Sequence, residues 1–172
     1  MFRSILRAIA GPAALTLMLA ASAPASAQFA PTFMIDGVLQ ETVGPASRCA
    51  SGFGGTIAGQ GDSKRMWGKV VFIATDCITP QGPLFNFSDG KFIVMDTAGD
   101  QIFANYSGQF VPTGAGTKFV FSGANFQITG GTGKYRNASG GGTLDGGEDM
   151  ATGAGTIKLA GNLSFSPKSS KP

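Results

Sequence analysis

The stretch Ile128-Thr129-Gly130-Gly131-Thr132-Gly133-Lys134-Tyr135-Arg136-Asn137-Ala138-Ser139-Gly140-Gly141-Gly142-Thr143-Leu144 sets six glycines between two apolar, strand-type runs, and its reading decides the fold. Glycine allows positive φ and close backbone approach without steric penalty, so the cluster reads as strand, elaborate turn, strand. Two nucleotide-binding readings fail at particular positions. A P-loop ending at Gly133-Lys134 needs a glycine where Ile128 stands and a Ser or Thr where Tyr135 stands. The dinucleotide fingerprint needs a third glycine where Arg136 follows Gly131-x-Gly133; the pairs Gly52-x-Gly54, Gly140-x-Gly142 and Gly153-x-Gly155 fail likewise at Ile57, Asp145 and Lys158.

Outward from this stretch, hydrophobic runs recur at roughly ten-residue intervals between Gly, Pro, Asn and Asp clusters, with no sustained 3.6-residue period. The rhythm predicts an all-β domain of eight or nine strands, near 32–42, 50–59, 66–77, 84–88, 91–97, 101–111, 117–129, 138–145 and 153–165. Asp89-Gly90 reads as a two-residue hairpin turn between 84–88 and 91–97, and Asp36-Gly37 as a bulge or bend inside the first run. A two-residue turn flanked by 97 and 100 would set Met95 opposite Ile102, Ile93 opposite Ala104 and Lys91 opposite Tyr106, leaving Val94 and Phe103 on the other face. Apolar groups then occupy both faces, as in a closed barrel with a filled interior or in a sandwich.

Gly130-Gly131-Thr132-Gly133-Lys134-Tyr135, followed by Ala138 and Gly140, resembles the GGTG-x-[FY]-x-x-A-x-G signature of the allene oxide cyclase and dirigent barrel superfamily. Gly99-Asp100-x-Ile102-x-x-x-Tyr106-x-Gly108 is similar to a segment of its secreted bacterial members. The resemblance implies a single antiparallel eight-stranded closed β-barrel with a ligand-sized interior, often trimeric, and on this ground a barrel is expected over a sandwich.

Residues 1–27 read as a secretory signal: Arg3 and Arg7, an apolar run from Ala8 to Ala21, then Ala25-Ser26-Ala27 as the cleavage site, so the mature chain would begin at Gln28. The expected organisation is a signal over 1–27, one barrel domain over 28–166 and a flexible tail over 167–172. Removing 27 of 172 residues leaves 145, enough for one core, and the net charge falls from +3 to +1 as Arg3 and Arg7 leave. No basic face for nucleic acid remains. No transmembrane segment is expected after cleavage, and one Trp and two Tyr against fourteen scattered Phe do not make the aromatic girdles of an outer-membrane barrel. The expected location is periplasmic or extracellular. Four Asn-x-Ser sites, at Asn86, Asn105, Asn137 and Asn162, would need a eukaryotic secretory host to be glycosylated, whereas the signal looks bacterial.

The chain has no histidine. That removes Ser-His-Asp and Cys-His nucleophile pairs and histidine metal sites, so neither a cofactor nor a metal is expected. Cys49 and Cys77 are expected to form a disulfide, because a hairpin centred on Ser63 would place them opposite each other. Asp62, Asp89, Asp100, Asp145, Glu148 and Asp149 fall in expected turns. Asp36, Glu41, Asp76 and Asp96 fall in or at the ends of strands, where a carboxyl facing the lumen could act as an acid or base. On the 101–111 run, Ile102, Ala104, Tyr106 and Phe110 form an apolar face and Gln101, Asn105, Ser107 and Gln109 a wet one. Tyr106 is therefore the expected ligand-binding hydroxyl in the lumen, with Asp96 or a lumen water as its candidate partner.

Two functional readings follow. In the first, an exported barrel holds a small apolar or amphipathic molecule and, if it is an enzyme, directs a cofactor-independent cyclisation or isomerisation. In the second, the barrel is filled and the protein is a non-catalytic structural or interaction protein outside the cytoplasm. A cavity of roughly 300 Å³ or more favours the first, and a solidly packed lumen the second.

Overall fold

In the computed structural model, residues 33–64 and 67–165 are described; the expected signal, the start at Gln28 and the 167–172 tail lie outside them. Eight strands follow one another: β1 (Phe33–Pro45), β2 (Phe53–Ser63), β3 (Gly68–Gln81), β4 (Leu84–Asp96), β5 (Gln101–Pro112), β6 (Lys118–Gly131), β7 (Ser139–Asp149) and β8 (Ala154–Ser164). Each pairs antiparallel with the next, and β8 pairs with β1 from Phe33 opposite Gly161 to Gln40 opposite Ala154, closing the barrel. Closure gives each of the described strands a neighbour on both sides. Alternate residues then point into the lumen, and Phe72, Phe92, Phe110, Phe126, Ile35 and Leu159 are among those buried there.

Eight strands rather than nine result because Asp89-Gly90 is not a hairpin. The runs 84–88 and 91–97 are one strand, and at this point β4 carries an extra residue against both neighbours: Thr75 pairs with Lys91 but Cys77 with Ser88, and Tyr106 pairs with Gly90 but Gly108 with Phe87. Asp89, the one non-glycine with positive φ (50°) among the described residues, is the bulged residue. The same tolerance of left-handed backbone that suits Asp-Gly to a hairpin suits it to a bulge, and burial on both flanks selects the bulge. Gly37, by contrast, pairs opposite Gly61 with no break in register, so it is not a bulge.

The β4–β5 register is also corrected. The connection closes with Asp96 N donating to Asp100 O and Gly99 N to Asp96 O, one residue away from a two-residue turn. Val94 therefore faces Ile102, Phe92 faces Ala104 and Gly90 faces Tyr106. Val94 and Phe92 go to the lumen with Ile102 and Tyr106, while Ile93 and Phe103 share the outer wall, as a one-residue slip requires.

The β2–β3 hairpin, likewise, is not centred on Ser63. Ser63 pairs with Gly68, and Cys77 faces Gly54 rather than Cys49. The Cys49–Cys77 bridge nevertheless forms, with Cα atoms 5.3 Å apart. Cys49 arrives from the β1–β2 connection, which coils back through Ala46 N to Gly52 O and Cys49 N to Ala46 O and sets the sulfur over bare Gly54.

Candidate functional site

The glycine stretch read first proves to be the lock on one end of the barrel. A 3-10 turn, Gly133–Tyr135, drops Tyr135 into that end, where its ring packs on Trp67 and Phe165 at centroid distances of 5.5 and 5.2 Å. Its hydroxyl donates to Asp96 Oδ2 at 3.0 Å, and Lys134 Nζ lies 2.6 Å from the same oxygen. Asp96 Oδ1 accepts from Ala98 N and Asp100 N. Gly133 has φ 50°, and a Cβ there would collide with the Asp100 carboxylate, so only glycine fits. Burial pushes the Asp96 carboxyl up, but Lys134, Tyr135 and the Ala98 N–H outweigh it and hold it below the ordinary range. Lys134 and Tyr135 are each pushed up to about 12: Lys134 chiefly by its bond to Asp96, Tyr135 chiefly by burial.

Near the opposite end, the one carrying the β1–β2 connection and its disulfide, a second set of polar groups meets inside the lumen. Glu41 on β1, Asp76 on β3 and Glu148 on β7 are 4%, 1% and 5% exposed. Two glycines on the inner wall let them converge. A Cβ on Gly55, between β1 and β3, would strike Glu41 Oε1 and lie 2.8 Å from Asp76 Oδ1; one on Gly155, between β7 and β1, would lie 2.8 Å from Glu148 Cβ. Asp76 sits opposite the Asp89-Gly90 bulge, accepts from Gly55 N at 3.1 Å and receives the Tyr106 hydroxyl at 2.8 Å. The Tyr106 ring lies over bare Gly90 and touches Phe87 and Phe92.

The electrostatics of this set are unlike those of Asp96. With both ionised, Glu41 and Glu148 Oε2 have no donor to accept from. The two carboxyls are close enough to interact, so one proton held between them, with Glu41 as donor, would give each a partner. Burial first, then that bond and the charges of Glu148 and Asp76, push Glu41 up to about 10. Glu148 is raised by burial and by Asp76 against the bond from Glu41. Asp76 is raised by burial, which outweighs the bonds from Tyr106 and Gly55 and the charge of Arg48. Burial and Asp76 push the Tyr106 phenol up too. A protonated carboxyl beside an ionised one, under a phenol and in a phenyl-lined interior, can donate and accept protons without bulk water.

The expected lumen position of Tyr106 is met, since it is 7% exposed on the face shared by Ile102, Ala104 and Phe110. Its partner is Asp76, however, not Asp96. Asp96 lies six residues further along β4 than the glycine facing Tyr106, on the order of 20 Å away. Asp36 is on the outside, 3.1 Å from Lys64. Glu148 is the residue sequence reasoning missed: β7 runs to Asp149 rather than stopping near 145, and Glu148 shares the inward phase of Leu144, a two-residue alternation that glycines at 146 and 147 conceal.

Around Glu41, Asp76 and Tyr106 the free volume is about 20 Å³, on the scale of a single water molecule, with Phe87, Phe110 and Phe121 filling the rest. The other end of the lumen, between Phe33, Trp67 and Phe126, leaves about 20 Å³ as well. Among the described residues, no helix is long and apolar enough to cross a membrane, and no group of three or more Cys, Asp or Glu is placed to hold a metal ion. Comparison with family models, with curated proteins and with solved structures finds no match to this chain.

Proposed function

We propose that the protein is an exported barrel of the allene oxide cyclase and dirigent type whose interior serves as a packed core, a non-catalytic structural or interaction protein outside the cytoplasm. The observation that carries this reading is the lumen volume, about 20 Å³ at each end against the roughly 300 Å³ that a small-molecule site needs. Export is supported by the disulfide, a bond that persists in oxidising compartments. A row of polar outer-wall residues, Thr42, Thr56, Thr75, Lys91, Asn105 and Gln127, paired across six strands, suits a watery surrounding better than a lipid one. The test is titration with apolar and amphipathic molecules, followed by intrinsic fluorescence and by melting temperature. No saturable response is expected; stoichiometric binding that raises the melting temperature overturns the reading.

A second reading is favoured by one specific observation, the Glu41, Glu148, Asp76 and Tyr106 set. Buried carboxyls raised above the ordinary range cost stability and concentrate at sites of acid-base chemistry. Here Phe121, half-buried at the rim, would swing aside to admit a small apolar or amphipathic molecule onto Tyr106 and Asp76. If so, Tyr106→Phe weakens binding by about 0.5–1.5 kcal/mol with the fold intact.

A further inference from the structure

The corner where Glu41 meets Glu148 is also where the barrel closes on itself. The turn between β7 and β8 is tied to β1 by Glu41 N donating to Gly153 O at 2.8 Å and by Gln40 Nε2 donating to Thr152 O at 2.6 Å. Glu148 stands on β7 just ahead of this turn with its Cβ over bare Gly155, and its carboxyl and that of Glu41, both buried and without another donor, interact with each other. Main-chain bonds and the carboxyl pair thus cross the same seam, and among the described residues no cation is buried with the pair. Facing Glu41 are Glu148 from β7, Asp76 from β3 and, through Asp76, Tyr106 from β5. The inner walls of β2, β4, β6 and β8 offer it glycine, Ile57, Phe87, Phe121 and Ile157 and no charge. Arg48 stands outside, in the β1–β2 connection, with its guanidinium on Cys77 Sγ at 3.4 Å.

We propose that one proton held between Glu41 and Glu148 latches the β7–β8 turn to β1, and that losing it opens this corner onto the carboxylates and rings behind. Two adjacent carboxylates in a dry wall repel each other and each demands water, and the only way to hydrate both is to part the seam. Opening breaks the carboxyl O–H bond, leaving its electron pair on the carboxylate and passing the proton to solvent water; no other covalent bond changes. The opposite end has no such device, because Asp96 is already ionised against Lys134.

The closed corner keeps a proton up to about pH 10 that the open corner releases above its ordinary value of 4.5. The open fraction therefore rises about tenfold per pH unit across that window and levels off above it. Hydrogen exchange of the full oxidised chain, corrected for the intrinsic pH dependence of exchange, reads this directly. Residues 39–42 and 148–154 should lose protection about tenfold per unit between about pH 6 and about pH 9, residues 96–101 and 131–136 should not, and E41Q/E148Q should lose most of the slope. Equal loosening at both ends, or an undiminished slope in E41Q/E148Q, overturns the proposal. Infrared spectroscopy of the wild type gives an answer independent of any variant: a buried protonated carboxyl is expected at about pH 8, and its absence sinks the latch.

Discussion

At one end of the barrel Asp96 faces an ammonium, a phenol and two turn N–H groups; at the other Glu41 faces two further carboxyls and, among the described residues, no cation inside the lumen. Both acids are buried, at 8% and 4% exposed. Burial alone therefore does not decide what an acid does, since it raises both. What decides is whether donors arrive with it. Asp96 adds stability present above its unfolded value of 3.8 and lost as pH falls through its lower folded value. Glu41 does the reverse, with stability full below 4.5 and draining away as pH rises toward about 10. One end is built to be held ionised and the other to be held protonated.

Four variants separate the two ends, in decreasing order of expected effect. Cys49→Ser/Cys77→Ser removes a bridge spanning 28 residues at the carboxyl end and should cost about 3–4 kcal/mol in denaturant unfolding; a loss below about 1 kcal/mol would mean that the β1–β2 connection is held without it. Glu41→Gln keeps a donor for Glu148 and removes the titrating proton, so at pH 7 it should stabilise the fold by about 2–3 kcal/mol, a gain that fades toward pH 4.5. A variant less stable than wild type at neutral pH would show Glu41 to be an ordinary paired carboxylate. Asp96→Asn should go the other way, by about 2 kcal/mol, because Lys134 and Tyr135 lose a charged acceptor. Its cost should shrink as pH falls through the Asp96 titration, and unfolding curves recorded at acid and neutral pH would reveal a pH-independent cost if packing, not charge, were lost. Smallest is Tyr106→Phe, which leaves Asp76 Oδ2 without its phenol and should cost about 1 kcal/mol while raising the Asp76 titration further. A carboxyl titration by NMR that does not move would place the hydroxyl elsewhere.

Much of the fold was legible along the chain. Period-two runs punctuated by glycine make strands, and local geometry is enough for that because each strand needs only its own alternation and a turn chemistry. The lumen phase of Tyr106 came from the same alternation. The disulfide was expected for a reason that did not hold: the cysteines meet because a connection folds back, not because a hairpin opposes them.

What the amino-acid order determined by itself is the all-β class, the inward face of β5 and the absence of histidine chemistry, since each is a property of neighbouring residues or of composition. Tertiary structure decided the rest. Asp89-Gly90 became a bulge rather than a turn only because β3 and β5 flank it, and that bulge is what sets Tyr106 and Asp76 together. Glu41 and Glu148 lie more than a hundred positions apart and are joined only by closure of β8 on β1. Which acid is protonated depends on donors brought by other strands, and a carboxyl's state is fixed by its surroundings in space rather than by its neighbours in the chain.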